Sequence, residues 1–300
     1  MQKLSLDRKV GLALSSGSAR GLAHIGVLEI MEKEEIPVDL IAGTSMGSII
    51  GAMYACGMNS DEIKKATTSL TWKELAGLFV VTLPNTGFLS GRKIRSRLNE
   101  ILGGVHFSDL RIPFACVATD IITGEEAVMY QGPVVDAVLA SMLWPVVFRP
   151  VMWQGRYLVD GGIVDPVPVN VLKNMGADFV ICSNVIVGPE KRARKNPIKA
   201  GEQNKIDTIK APSIFNTMMQ FINIAHYQAV ERSSNGADII IKPSLDSIGF
   251  SEFYRSSECI YQGKLAAQAA IPEIKRLLAD YYYNKSLVYS DLRLKGVVKL

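Results

Sequence analysis

The sequence predicts an α/β fold built from short apolar strands alternating with helices. Three observations carry this. The runs Lys9–Ser15, Val38–Ala42, Asp178–Ile186 and Ala237–Ile241 are short and almost wholly apolar, as in parallel strands covered on both faces. The first two bracket a loop of small residues and a helix, which makes a β-loop-α-β unit. The chain has 300 residues, 48% hydrophobic and 21% charged, enough to bury a core as one α/β domain or two smaller ones. In open α/β sheets the active site gathers at the carboxyl ends of the strands, which places a site at the loops after the first two strands.

In chain order, the strand Lys9–Ser15 leads through the small-residue loop Ser16–Gly21 into a helix, Leu22 to Lys33. Leu22, Ile25, Leu28 and Ile30 give that helix an apolar face. Pro37 closes the connection to the second strand, which runs directly into Gly43-Thr44-Ser45-Met46-Gly47 and a small-residue helix to Ala55. Asn59 to Glu62 reads as an N-cap with an acidic first turn. Leu75 to Phe88 is apolar and loop-like. Ser90 to Leu98 opens a basic amphipathic helix, read either as a solvated face or as a rim that meets phosphate headgroups. Pro113–Thr119 is a strand, Thr123-Gly124-Glu125 a turn, and Ala127–Tyr130 its hairpin partner. Pro133 to Met142 is a helix that Trp144-Pro145 cannot continue.

A second hairpin, Pro150–Trp153 and Arg156–Val159 across Gln154-Gly155, delivers Asp160-Gly161-Gly162. Val164 to Val169 leads into a helix, and Asp178–Ile186 reads as a central strand. Residues 188–210 are basic, with proline and glycine, and are expected to form a mobile loop. Ser213 to Arg232 is an amphipathic helix with Ile214, Met218, Phe221 and Ile224 on its apolar face. After the last strand, Glu258 to Tyr281 is a long helix. The tail, residues 282–300, reads as aromatic and then strand-like through Leu292, Leu294, Val297 and Val298. It is expected to support a homo-oligomer.

Composition excludes several classes. A net charge of +4 and a pI near 8.8 are compatible with an anionic surface but far from a nucleic-acid-binding footprint, so no nucleic acid is expected. Cys56, Cys116, Cys182 and Cys259 form no C-x-x-C pair, and free thiols in a reducing compartment follow. The N-terminal basic residues precede an apolar run too short for a signal peptide. Leu40 to Met58 is uncharged over nearly a membrane span, but its Gly, Ser and Thr content makes it a buried strand and helix, so no transmembrane helix is expected. A cytoplasmic protein, peripheral at the inner membrane surface at most, is the resulting expectation.

Strand, G-x-S-x-G and helix are the context of a nucleophile elbow: Gly43 and Gly47 flank Ser45 in a turn that exposes its hydroxyl. Ser45 needs a base. His24 and His226 fall inside helices and His106 in a polar loop, and none has the neighbourhood of a catalytic imidazole. A Ser–His–Asp hydrolase using His226 or His106 stays open as a rival. Asp160 ends an apolar strand and is followed by Gly161 and Gly162; partial burial would raise its pKa and make it a proton acceptor at neutral pH. Taken alone, the same residues also read as a simple hairpin exit. The Ser16–Gly21 loop offers successive amides of the kind an oxyanion needs. It lacks the dinucleotide and Walker patterns, so nucleotide binding is not expected.

These pieces in this order resemble the patatin-like phospholipase family, which carries G-G-G-x-R/K-G, G-x-S-x-G and D-G-G/A. Here they are SGSARG (Ser16–Gly21), GTSMG (Gly43–Gly47) and DGG (Asp160–Gly162). The segment ASMLWPVVFRP from Ala140 to Pro150 resembles the family's A-S-x-x-x-P-x-x-F-x-P. The resemblance covers Lys9 to Val171 and, more loosely, the chain to about residue 280. It implies a three-layer α/β/α sandwich with a mainly parallel central sheet over residues 1–281, with its motif core at 9–171. It further implies a Ser–Asp dyad of Ser45 and Asp160, and an oxyanion hole from the amides of Gly17, Ser18 and Ala19, with Arg20 and Gly21 completing the loop. The implied substrate is a fatty-acyl ester of a phospholipid, lysophospholipid or neutral lipid, with neither metal nor cofactor. Serines replace the first and third loop glycines; where such a position needs a left-handed backbone, serine costs about 1–2 kcal/mol. The alternative implied by those serines and the basic segments is a catalytically weak lipid-binding protein at an anionic membrane.

Overall fold

β1 (Val10–Leu14) is buried along its whole length: parallel partners take both its edges, and a core covers each face. β2 (Leu40–Thr44) pairs through Gly11↔Leu40 to Leu14↔Gly43, and β7 (Phe179–Ser183) through Val10↔Phe179 to Leu14↔Ser183. The structure is a computed structural model describing residues 9–68, 91–145, 147–188 and 214–294. The segments expected as loops at 75–88 and 188–210 lie almost wholly outside those residues.

The other strands are β3 (Phe114–Asp120), β4 (Glu126–Met129), β5 (Val151–Trp153), β6 (Arg156–Asp160) and β8 (Ile239–Ile241). The sheet order is β5-β6-β3-β2-β1-β7-β8, with β4 also paired to β3. From β3 to β8 all pairs are parallel, and β4, β5 and β6 make an antiparallel end. β7 therefore stands one place from the edge and is not central, as its apolar sequence suggests. Cover on both faces produces the same apolar run wherever the strand stands.

Alternate strand residues enter two separate cores, which defines the three layers. Leu12, Leu14, Ile41, Cys116 and Ile181 pack with α1 (Ala23–Lys33), α2 (Met46–Ala55), α5 (Val134–Met142) and α8 (Ser256–Leu294). Ala13, Ala42, Val117, Val180 and Cys182 pack on the other face against Val169, Val171 and Leu172 of α6 (Val169–Asn174). α7 (Ile214–Ser233) lies on that second side, where its Val230 joins this core. α3 (Ser60–Thr68) begins with a reciprocal cap: the Glu62 amide donates to Asn59 Oδ1 at 2.9 Å, and the Asn59 amide to Glu62 Oε2 at 2.9 Å. α4 (Arg92–Leu102) is the expected basic helix. It buries Ile94, Leu98 and Leu102, and Arg95 is paired with Asp136 at 2.7 Å.

Two helices depart from expectation. α8 does not stop at Tyr281 but continues to Leu294, so residues 282–294 are helical; Val297 and Val298 of the expected strand lie outside the described residues. No glycine or proline intervenes between Ile274 and Leu294, and extending an existing helix fixes few dihedrals per bond gained. α7 turns Phe221 and Ile224 of its expected apolar face outward, at 72% and 39% exposed, whereas Ile222, Asn223, His226 and Ala229 are buried. α1 and α8 cross backbone to backbone. A Cβ on Gly26 would stand 2.0 Å from the Ile260 carbonyl oxygen, and one on Gly263 2.0 Å from that of Ala23. Among the described residues no helix is long and apolar enough to cross a membrane.

Candidate active site

The sheet register brings Ser45 and Asp160 together. β2 ends at Thr44, opposite Val117; β6, running the other way, ends at Asp160, opposite Ala118. Consecutive residues of β3 thus carry the ends of two oppositely directed strands, and the elbow and the Asp160 turn lie where they meet.

Ser45 occupies φ 55° and ψ −119°, a region that non-glycine residues avoid. The turn is held from several sides. The Ser45 amide donates to Ser141 Oγ at 3.0 Å, the Ser45 carbonyl accepts from the Ser48 hydroxyl at 2.6 Å, and the Thr44 hydroxyl donates to the Asp165 carbonyl at 2.9 Å. A Cβ at Gly43 would meet the Gly47 carbonyl oxygen at 2.5 Å, and one at Gly47 the Leu14 carbonyl oxygen at 2.1 Å. Both elbow glycines are thus required by close backbone approach. Ser45 stands at the N-terminus of α2, where negative charge is favoured.

Asp160 is fully buried. Its Oδ1 accepts from the Gly162 amide at 2.8 Å, and its Oδ2 has no hydrogen-bond partner. Burial pushes its pKa up to about 6 against the opposing pull of the Ser45 side chain and the Gly162 amide. The Asp160 amide donates to the Leu143 carbonyl at 2.9 Å, and its carbonyl accepts from Thr119 Oγ1 at 2.8 Å. Gly161 and Gly162 start the 3-10 turn Gly161–Ile163. Five residues after Asp160, Asp165 is also buried; burial and then Glu126 push its pKa up to about 7.

The Gly17–Gly21 loop is buried beside the elbow, with Ser18–Leu22 forming a 3-10 turn. Ser18 holds φ 50° and its hydroxyl is buried without a partner. The Ala19 amide is committed to the Phe250 carbonyl at 3.1 Å. Arg20 is buried, and its Nε donates to the Ile248 carbonyl at 2.9 Å, so it braces the loop from behind. Ser16 anchors the loop to the Asp160 side through its amide, which donates to the Pro166 carbonyl at 2.9 Å.

The three histidines separate clearly. His106 starts the turn Phe107–Asp109 and is exposed. His24 is buried between Ser183 Oγ at 2.8 Å and the Ser15 carbonyl at 2.9 Å, tying β1 to β7; burial lowers its pKa to about 4. His226 stands at the site: its Nδ1 lies 3.2 Å from Ser16 Oγ and its Nε2 3.7 Å from Asp160 Oδ1. In a Ser–His–Asp triad the imidazole stands between serine and aspartate. Here its two nitrogens face Ser16 and Asp160, which leaves none for Ser45. Sequence reasoning names His226 only as a rival base, not as the neighbour of Asp160 and Ser16, and it misses Ser141. His226 comes from a helix far along the chain, and Ser141 carries only the signal of the A-S-x-x-x-P segment. Among the described residues no group of three or more His, Cys, Asp or Glu could hold a metal ion.

The family model described as patatin-like phospholipase matches residues 12–173. An uncharacterized NTE family protein of Mycobacterium tuberculosis is 36% identical over 195 residues, which is 64% of this chain and 54% of that protein. The lysophospholipase NTE1 of Scheffersomyces stipitis is 28% identical over 284 residues, covering 88% of this chain but 18% of that one. The chain thus spans about half the length of the mycobacterial relative and under a fifth of the fungal one. VipD from Legionella pneumophila shares the fold at a TM-score of 0.52 with 14% identity, covering 90% of this chain and 67% of that one.

Proposed function

We propose, from the premise that this chain belongs to the patatin-like phospholipase family, that it is a serine hydrolase of fatty-acyl esters working through a Ser45–Asp160 dyad. The observation that carries the reading is the strained Ser45 turn set against a buried carboxylate whose pKa lies near neutrality. Asp160 takes the proton from Ser45 Oγ as that oxygen attacks the ester carbonyl. The amides of Gly17 and Ser18, at the open start of their turn, stabilise the oxyanion. Asp160 then gives the proton to the departing alcohol, leaving an acyl ester on Ser45. Water attacks that ester, Asp160 takes its proton, and the fatty acid leaves as Ser45 regains its hydrogen. The fungal relative's name supports lysophospholipids among the substrates; phospholipids and neutral lipids are the other esters of the class.

A fluorophosphonate probe is expected to label Ser45, and labelling should vanish in Ser45→Ala. On a panel of lysophospholipid, phospholipid and neutral lipid, both Ser45→Ala and Asp160→Asn should lose at least a thousandfold in kcat. Hydrolysis that survives Ser45→Ala sinks the proposal. A second reading, a lipid-binding protein of weak activity, is favoured by the exposed Phe221, Ile224 and Tyr227 of α7. It expects co-sedimentation with anionic liposomes and no turnover of any lipid in that panel.

A further inference from the structure

We infer that His226 is a positioning residue for the dyad, joining the Asp160 carboxylate to the loop that holds the oxyanion. The inference rests on the Ser45–Asp160 reading above and adds a third side chain to it. Four observations support it. The imidazole is buried, with Nδ1 3.2 Å from Ser16 Oγ and Nε2 3.7 Å from Asp160 Oδ1. His226 Nε2 is buried without a hydrogen-bond partner, and the carboxylate oxygen beside it, Asp160 Oδ1, holds only the Gly162 amide, so each has capacity to spare. The ring lies over Gly162, where a Cβ would come within 2.4 Å of Cε1 and Nε2; glycine in the DGG turn leaves the room that the imidazole occupies. Finally, α7 spends its inward face on Asn223 and His226 while Phe221 and Ile224 stay outside.

Burial lowers the His226 pKa to about 4, so the ring is neutral at working pH and carries one N–H. A negative carboxylate selects the tautomer with that hydrogen on Nε2. Nδ1 then accepts from the Ser16 hydroxyl. At 3.7 Å the contact with Asp160 is longer than a hydrogen bond. Catalytic contacts of this kind close when substrate fills the site. Once closed, it fixes the carboxylate's orientation and favours its charged form, the form that accepts the proton of Ser45.

The other groups around this pair are few. From the elbow, Ser45 faces Asp160; from its own turn, the Gly162 amide does. Arg20 is turned to the Ile248 carbonyl. Asp165 faces Glu126 and Arg232, while Tyr227, Glu231 and Arg232 lie on the exposed side of α7.

The test compares wild type with His226→Phe, which keeps the ring, His226→Gln, which keeps a donor, and Ser16→Ala. Readouts are the pH profile of kcat/KM on a soluble chromogenic acyl ester, the rate of fluorophosphonate labelling at Ser45, and the thermal midpoint. In His226→Phe the acid limb should move up by about one pH unit, with kcat down about tenfold and KM within about twofold. His226→Gln should return the limb toward wild type, and Ser16→Ala should shift it in the same direction as His226→Phe. An unchanged limb and labelling rate in a folded His226→Phe overturns the inference. So does a fall of every His226 variant to the Ser45→Ala level, which would make the imidazole the base itself. If His226→Phe does not fold, the limb in His226→Gln and Ser16→Ala decides: wild-type behaviour in both overturns the inference. Activity that survives Ser45→Ala instead removes the dyad reading and leaves these outcomes distinguishable from it.

Discussion

Ser18 holds a left-handed backbone conformation that serine does not favour, at φ 50°, and buries a hydroxyl with no partner. Ser16, the other serine standing for a loop glycine, has no such strain and uses its hydroxyl at His226. Ser18→Gly is therefore expected to stabilise the protein by about 1 kcal/mol, read as a rise in the urea midpoint. A fall would mean that the hydroxyl binds something in the folded state. Asp160 gives a second prediction at this scale. With the Asp160 pKa near 6, the proposed dyad expects kcat/KM to fall below about pH 6, as protonation of Asp160 leaves it unable to take the Ser45 proton. A profile flat down to pH 4.5 would rule out Asp160 as the base. The tight turn of Gly43, Ser45 and Gly47 is legible in the sequence because it is local: its strand, turn and helix are consecutive. His226 is not, because Ser16 meets it across 210 positions and nothing local distinguishes a helical histidine that lands on a carboxylate from one that lands in a core.

At the scale of the element, α7 exposes a reading error with a physical cause. Helical spacing finds an apolar stripe but does not say whether the stripe faces the core. Here the neighbouring stripe of Ile222, Asn223, His226 and Ala229 wins because it closes the Asp160 turn. Ile222→Ala should cost about 2–4 kcal/mol, whereas Phe221→Ser should change stability by less than about 0.5 kcal/mol in chemical denaturation. Equal losses would restore the stripe first read from the sequence. The crossing of α1 and α8 is similarly hidden. Gly26 and Gly263 look like weak points in helices, yet each is where the other helix's backbone passes. Gly263→Val should lower the thermal midpoint by at least 5 °C, which corresponds to about 2 kcal/mol or more for a chain of this size.

Over the whole molecule, buried titratable groups of both kinds set opposing slopes. His24 and His226 have folded pKa values near 4, below the usual 6.5, so their contribution to stability is lost as pH falls through that window. Asp160 and Asp165 have folded values near 6 and 7, above the usual 3.8, so theirs is lost as pH rises through it. The two nearly cancel between about pH 4 and 6.5. The thermal midpoint of the wild type should be nearly flat there, and that of an Asp160→Asn/Asp165→Asn variant should climb with pH. The fold class was legible at this scale because apolar runs and small loops alternate along the chain. The strand order was not, since an apolar strand reads the same one place from the edge as at the centre. The register that joins the ends of β2 and β6 on β3 has a consequence in time. Ser45, Asp160 and His226 leave the ribosome in that order, and about 180 residues separate the first from the last, some 10–35 s of synthesis at 5–20 residues per second. A nascent chain therefore carries Ser45 long before the helix that closes the Asp160 turn, and on the proposed dyad reading the hydrolase is assembled last at the place where it acts.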